Sequence, residues 1–439
     1  MNRLPRSIWL AALILSVSLY LLPYKGELKH LGPDTLEYLS FSDLFLSSRP
    51  SLIAPADEVP KGAVVRPPGY PALLSLGRAV FPNDLRAAVL SVNALLGWLS
   101  GMAICLGFRA YVPPAWSALL LSLSFVHLRP WYNGIATEWT TYTMVLGFLS
   151  AAVMFFRAPT PARLALWACV AAFLPWVRPN FILAALLPAC SVIALPRGRR
   201  TSGALAFTLG LVPLLALMTL SYVRFGVFKP TPYGGRNLFI AGTLSGTATA
   251  LPIDSPTFQR FIELVNHRLA PISATERLST EREPGFEDFQ RRYLANFYMV
   301  EDIGKDLGID LVELDRFAGV YGVRAITTHL INYCTLQRVW YGWLVANLII
   351  FVPMIILLKR WSTEPRYHPL CLAASSLFAL HLLQMVTVIT TQPPLERYMI
   401  PTYYPLVYCL MLVSTLFLVS LLSVRDSRRR PLTAPAEHK

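Results

Sequence analysis

Two carboxylates stand one helical turn apart early in the chain, Asp34 and Glu37 in "LGPDTLEYLS", and Arg66 follows at the head of "RPPGYP". A carboxylate can take the proton of a hydroxyl and make it a nucleophile. A guanidinium offers a planar fork that fits phosphate oxygens and keeps its charge beside a membrane. Side by side, these groups could activate a hydroxyl while a phosphate departs. A third acid, Glu138, lies in "WYNGIATEWTTYTM".

Each residue also has a plainer role. Asp34 follows the turn signal Gly32-Pro33 and precedes "TLEYLSFSDLFL", whose spacing is helical, so it can cap that helix by accepting from Leu36 or Glu37. The two prolines of "RPPGYP" fix backbone angles and Gly69 permits a sharp turn, which holds Arg66 in one direction, toward a substrate phosphate or toward lipid head groups. Glu138 suits the start of a helix, where the dipole favours an acid. An ionisable group at the edge of an apolar span is also a functional candidate. Further cations and aromatics are Arg178 in "WVRPNF", Arg236 in "YGGRNLF", and Arg397 with Tyr398 in "PPLERYMIP", where Glu396 can pair with Arg397. His329, in "RAITTHLINY", reads first as a packed group on an amphipathic helix.

The scaffold that must position these groups is apolar. Of 439 residues, 54% are hydrophobic and 15% charged, with mean hydropathy +0.48. A soluble domain cannot hide that much apolar surface. The expected fold is therefore an all-α polytopic membrane protein. Spans of 17–25 apolar residues fall near 8–23, 87–108, 112–128, 138–156, 163–178, 180–196, 203–223, 339–358, 369–390 and 400–424. The pair around Trp176–Asn180 forms a tight hairpin in this reading. The first run lacks a small-residue cleavage site and reads as an uncleaved helix.

The net charge of +14 fits basic inner loops rather than nucleic acid. With the N-terminus inside, each inner loop is basic: Arg109; Arg157 and Arg163; Arg197, Arg199 and Arg200; Lys359, Arg360 and Arg366; Arg425 and Arg428 to Arg430. The chain then divides into an N-terminal transmembrane module (1–223) with an outer loop at 24–86, an extracytoplasmic segment (224–338), a C-terminal transmembrane module (339–424) and a basic cytoplasmic tail (425–439). Within 224–338, Tyr233–Ala250 reads as a Gly/Thr-rich loop. Phe286–Val300 and Leu311–Tyr333 read as amphipathic helices on, or packed against, the outer membrane surface. Five of the six cysteines sit in apolar runs and none has ligand spacing, so neither a disulfide framework nor a zinc site is expected.

An acid after the first helix, "RPPGYP", "TE" opening the fourth span, and "LERYMIPTYYPLVY" near the end together resemble the GT-C membrane glycosyltransferases. The likeness is to the protein-mannosyltransferase/aminoarabinose-transferase-like branch and covers most of the apolar scaffold. It implies a polyprenyl-phosphate-linked sugar donor and an envelope glycan, lipid or protein acceptor, met on the extracytoplasmic face of a bacterial inner membrane. It casts Asp34 as general base and Glu138 as the second acidic position. Arg66, Arg178 and Arg397 would bind the donor phosphate, and Glu37, Tyr38, Tyr70, Arg236, His329 and Tyr398 would line the substrates. The chain departs from the branch at Glu37, where a basic or small polar residue is usual, so Asp34 and Glu37 both stand as the working base. Neither cofactor nor metal is implied. The competing readings are a transporter or flippase of lipid-linked glycans, and a surface-polysaccharide polymerase or ligase using a diphosphate donor. Charges cluster at span ends rather than mid-membrane, which disfavours transport.

Overall fold

The computed structural model describes residues 6–23, 28, 33–47, 66–231, 234–271, 298–338, 342, 345, 367–391 and 400–429. Among them every regular element is helical. In chain order these are α1 (Arg6–Leu21), α2 (Pro33–Leu46), α3 (Gly69–Val80), α4 (Leu85–Phe108), α5 (Pro114–His127), α6 (Thr137–Arg157) and α7 (Pro161–Val177). They continue as α8 (Arg200–Gly210), α9 (Val212–Phe225), α10 (Gly234–Ser245), α11 (Pro256–Leu269), α12 (Leu311–Thr328), α13 (Leu330–Leu336), α14 (His368–Thr391) and α15 (Ile400–Arg429).

Among the described residues four stretches are long and apolar enough to cross a membrane: Leu85–Phe108, Thr137–Arg157, Arg197–Phe225 and His368–Ile389. Shorter apolar helices occupy Arg6–Leu21, Pro114–His127, Pro161–Val177 and Pro179–Ala194. All eight coincide with spans expected from hydropathy. The span expected at 400–424 falls within α15, and the one at 339–358 lies outside the described residues except for 342 and 345.

α6 is the hub. It packs on α4, α7, α14 and α15. Trp139, Tyr142, Phe148, Leu149 and Phe155 along it are wholly buried, as expected of a helix apolar on all sides. Two of its threonines turn their hydroxyls to its own backbone, Thr141 donating to the Thr137 carbonyl at 2.7 Å and Thr143 to the Thr140 carbonyl at 2.8 Å. Polar ties join the segments around it. Asn93 Nδ2 donates to the Tyr132 carbonyl (2.9 Å) and Trp139 Nε1 to the Asn93 carbonyl (2.8 Å). Arg129 Nε donates to the Leu22 carbonyl (2.7 Å), fixing the end of α1.

Two expectations are corrected here. The run after α7 is not a regular α-helix. Arg178 takes an extended backbone ahead of Pro179, which ends α7. The chain then runs as 3-10 helix over Pro179–Ala185, one α-turn over Leu186–Cys190, and 3-10 again over Ser191–Ala194. A 3-10 helix rises about 2.0 Å per residue against 1.5 Å for an α-helix. This short run therefore reaches about 30 Å, the thickness of a bilayer core.

The second correction concerns Tyr233–Ala250. Gly234–Ser245 is a buried helix, α10, packed along α12. Its glycines are contact points, not loop flexibility. A Cβ on Gly242 would stand 2.7 Å from Gly322 Cα, and one on Gly322 would stand 2.3 Å from the Leu238 backbone. Small residues let the two backbones touch. Phe239, Phe261, Phe317 and Tyr321 complete this second core. Leu311–Thr328 and Leu330–Leu336 are helical as their periodicity requires. Most of Phe286–Val300 lies outside the described residues.

Candidate active site at one end of the helix bundle

Four chain segments remote in sequence meet at the end of the bundle where α6 begins and α7 and α9 finish. This end lies opposite the basic connections at Arg109, Arg157–Arg163 and Arg197–Arg200, because α4, α6 and the run after α7 each traverse the bundle between the two.

α2 supplies the first face. Glu37 accepts from Arg66 Nε at 2.5 Å, and the Arg66 guanidinium lies over the Tyr38 ring, 5.5 Å from its centroid. Tyr38 in turn meets Tyr70 edge-on at 5.2 Å. Asp34 belongs to the first turn of α2, three positions before Glu37 and so on the same side of the helix. Its side chain is outside the described set.

The "RPPGYP" segment is where expectation and structure part in detail. Gly69 opens α3, with Pro68 at the N-cap and Pro71 in the first turn, where a missing N–H costs nothing. Gly69 is not a sharp-turn residue; among the described glycines only Gly226 and Gly308 have positive φ. It is required for close approach, since a Cβ there would stand 2.7 Å from the Trp176 carbonyl oxygen. The segment is thereby pressed against the end of α7, two residues from Arg178. Burial pushes the Tyr70 phenol well above the ordinary tyrosine range, with Tyr38 adding to the effect.

Arg178 and Glu138 are brought together, but with each other. Arg178 Nη2 bonds Glu138 Oε1 and its Nε donates to Thr137 Oγ1 at 3.0 Å. Both side chains are under a tenth exposed. The pair ties the end of α7 to the start of α6. It stands behind Tyr70, whose phenol feels the Glu138 charge.

One residue of this end was missed from the sequence. Arg224, in the last turn of α9, is buried, with its guanidinium 5.5 Å from the Phe41 ring and 5.2 Å from that of Phe225. α9 stops at Gly226, which is left-handed (φ 68°) and closes the helix as its C-cap. A cation two residues before a glycine at the end of an apolar run was the available signal. Arg66, Pro67 and Pro68 on one side, and Leu217, Leu220, Ser221 and Arg224 on the other, line one cleft. The α9 positions recur at helical spacing, so a single face runs from leucines to a hydroxyl to a guanidinium.

Two other expected site residues have partners within the α10–α13 unit. Arg236 is buried, its Nη1 donating to Glu301 at 2.6 Å and its backbone N–H to Asp315 at 3.1 Å. His329 caps α12, and its Nε2 lies 3.1 Å from the Thr247 carbonyl oxygen. These contacts pack both residues within that unit. Glu396, Arg397 and Tyr398 lie outside the described residues. Among the described residues no group of three or more His, Cys, Asp or Glu side chains is placed to hold a metal. Comparisons with protein-family models, with curated proteins and with solved structures found no match for this chain.

Proposed function

We propose that the chain is a multi-pass membrane glycosyltransferase. It moves a sugar from a polyprenyl-phosphate donor to a hydroxyl of an envelope glycan, lipid or protein on the extracytoplasmic side of a bacterial inner membrane. The observation that carries this reading is the Arg66–Arg224 cleft. Arg66 and Arg224 line it together with Leu217 and Leu220 of α9, so one cleft carries two cationic side chains and an apolar wall. Such a cleft suits an amphiphile with an anionic head and a hydrocarbon tail.

The proposed reaction is a direct displacement at the sugar. The acceptor hydroxyl oxygen attacks the anomeric carbon, with inversion, as the bond from that carbon to the phosphate oxygen breaks. The electron pair leaves with the prenyl phosphate, whose charge Arg66 and Arg224 offset. The hydroxyl proton passes to the carboxylate of Asp34 or Glu37 on α2. Glu138 and Arg178 hold α6, α7 and, through Tyr70 and Gly69, the "RPPGYP" segment in position. Transport of lipid-linked glycans, the second reading, needs ionised groups along a path through the bundle. The Glu37–Arg66 and Glu138–Arg178 pairs lie at its end instead.

The test is transfer by the purified protein in nanodiscs from defined polyprenyl-phosphate sugars, read by mass spectrometry of products. Envelope glycans of a deletion strain identify the missing sugar. Asp34→Asn should abolish transfer with expression and membrane insertion unchanged. Full activity in that variant removes Asp34 from the chemistry. Flipping of intact donor with no transfer to any hydroxyl overturns the enzyme reading.

A further inference from the structure

Glu37 occupies the arginine that a donor phosphate would need. Both side chains of the Glu37–Arg66 pair keep about a fifth of their surface open, 21% and 23%. The pair is therefore within reach of a ligand, unlike the enclosed Glu138–Arg178 pair. Arg66 faces two ways: its Nε is on Glu37, and the residue edges the cleft that Arg224 closes from the other side. Arg224 is stacked against Phe41, one helical turn along α2 from Tyr38, which lies under Arg66. One stretch of α2 thus organises both cations and carries the acid that neutralises one of them.

Two anions cannot share this corner without cost. A phosphate held by Arg66 and Arg224 would sit beside the Glu37 carboxylate, and like charges at such range repel. Resting on the donor site proposed above, we infer that Glu37 is an internal stand-in for the donor phosphate. It holds Arg66 while the cleft is empty, gives it up when an anionic lipid head arrives, and is then free beside the sugar that head carries. Donor binding and release of a carboxylate become one event. Glu37, at the position where the chain departs from the branch it resembles, gains a role in ordering the two substrates.

The experiment measures binding of farnesyl monophosphate to the full-length protein in nanodiscs of zwitterionic lipid, for wild type, Glu37→Gln, Glu37→Ala, Arg66→Ala and Arg224→Ala. Monodisperse elution serves as the check on folding. Removing the competing charge should tighten binding by about two- to fivefold in both Glu37 variants. In the transfer assay the same variants should turn over more slowly at saturating donor. Binding by wild type that Arg66→Ala weakens but neither Glu37 variant tightens overturns the stand-in role and leaves the donor site intact. Binding weakened in both Glu37 variants makes Glu37 a support for Arg66 instead. Binding that is absent, or indifferent to Arg66 and Arg224, overturns the donor site itself.

Discussion

Breaking the Glu138–Arg178 pair tests how this end of the bundle is held. Its side chains are 4% and 8% exposed, so a lone survivor of the pair cannot turn to water. Removing one partner of such a pair costs about 3–5 kcal/mol, because the remaining charge stays buried. Replacing both with neutral groups of similar volume returns most of that loss. Glu138→Gln and Arg178→Met should each lower unfolding free energy by about 3 kcal/mol or more, with the double variant falling far short of their sum. Equilibrium unfolding in mixed micelles of mild and denaturing detergent, followed by tryptophan emission, supplies the four corners of the cycle. Donor binding gives a second readout: the double variant should bind farnesyl monophosphate nearly as wild type does. Single losses below about 1 kcal/mol, or strict additivity, would refute the argument that these charges are enclosed and coupled. Loss of donor binding in the stable double variant would return Arg178 to the phosphate-binding set.

Arg224→Ala should raise the donor KM with little change in the acceptor KM; an equal rise in both would point to general loss of structure. Gly242→Val must part α10 from α12, since its Cβ would meet the Gly322 backbone. A cost of about 1–3 kcal/mol is expected, seen as faster proteolysis within 234–336. Asp254 is held below the usual carboxylate range first by its hydrogen bonds from Arg324, at 2.5 and 2.6 Å. A lowered folded value means the stabilisation is full above the unfolded aspartate pKa of about 3.9 and fades as pH falls through the folded value. The melting-temperature gap between wild type and Asp254→Asn should therefore be open at neutral pH and close in acid.

Helix positions were legible because apolar length dictates them. α4, α6 and α14 begin and end within two residues of the hydropathy boundaries. What sequence could not supply was partnership. Glycine reads locally as freedom, yet Gly69, Gly242 and Gly322 are needed for what touches them, which only the fold reveals. The apolar run after Val177 announced a span but not its 3-10 winding. Arg178 and Glu138 were both found as charged groups at span ends; that they face each other depends on how α6 and α7 lie together. Arg224 escaped because it closes an apolar run that looked complete without it.

The wall of the cleft reaches Thr231, and α10 starts at Gly234. Three residues of fully extended chain span no more than about 11 Å. That leash ties the block formed by α10 and α12 to the rim of the cleft. The block is held to the bundle at a second place, where α10 packs on α14 and the Tyr333 hydroxyl donates to the Ile389 carbonyl. The cleft rim and the glycine-packed pair of helices are therefore neighbours in space as well as in sequence.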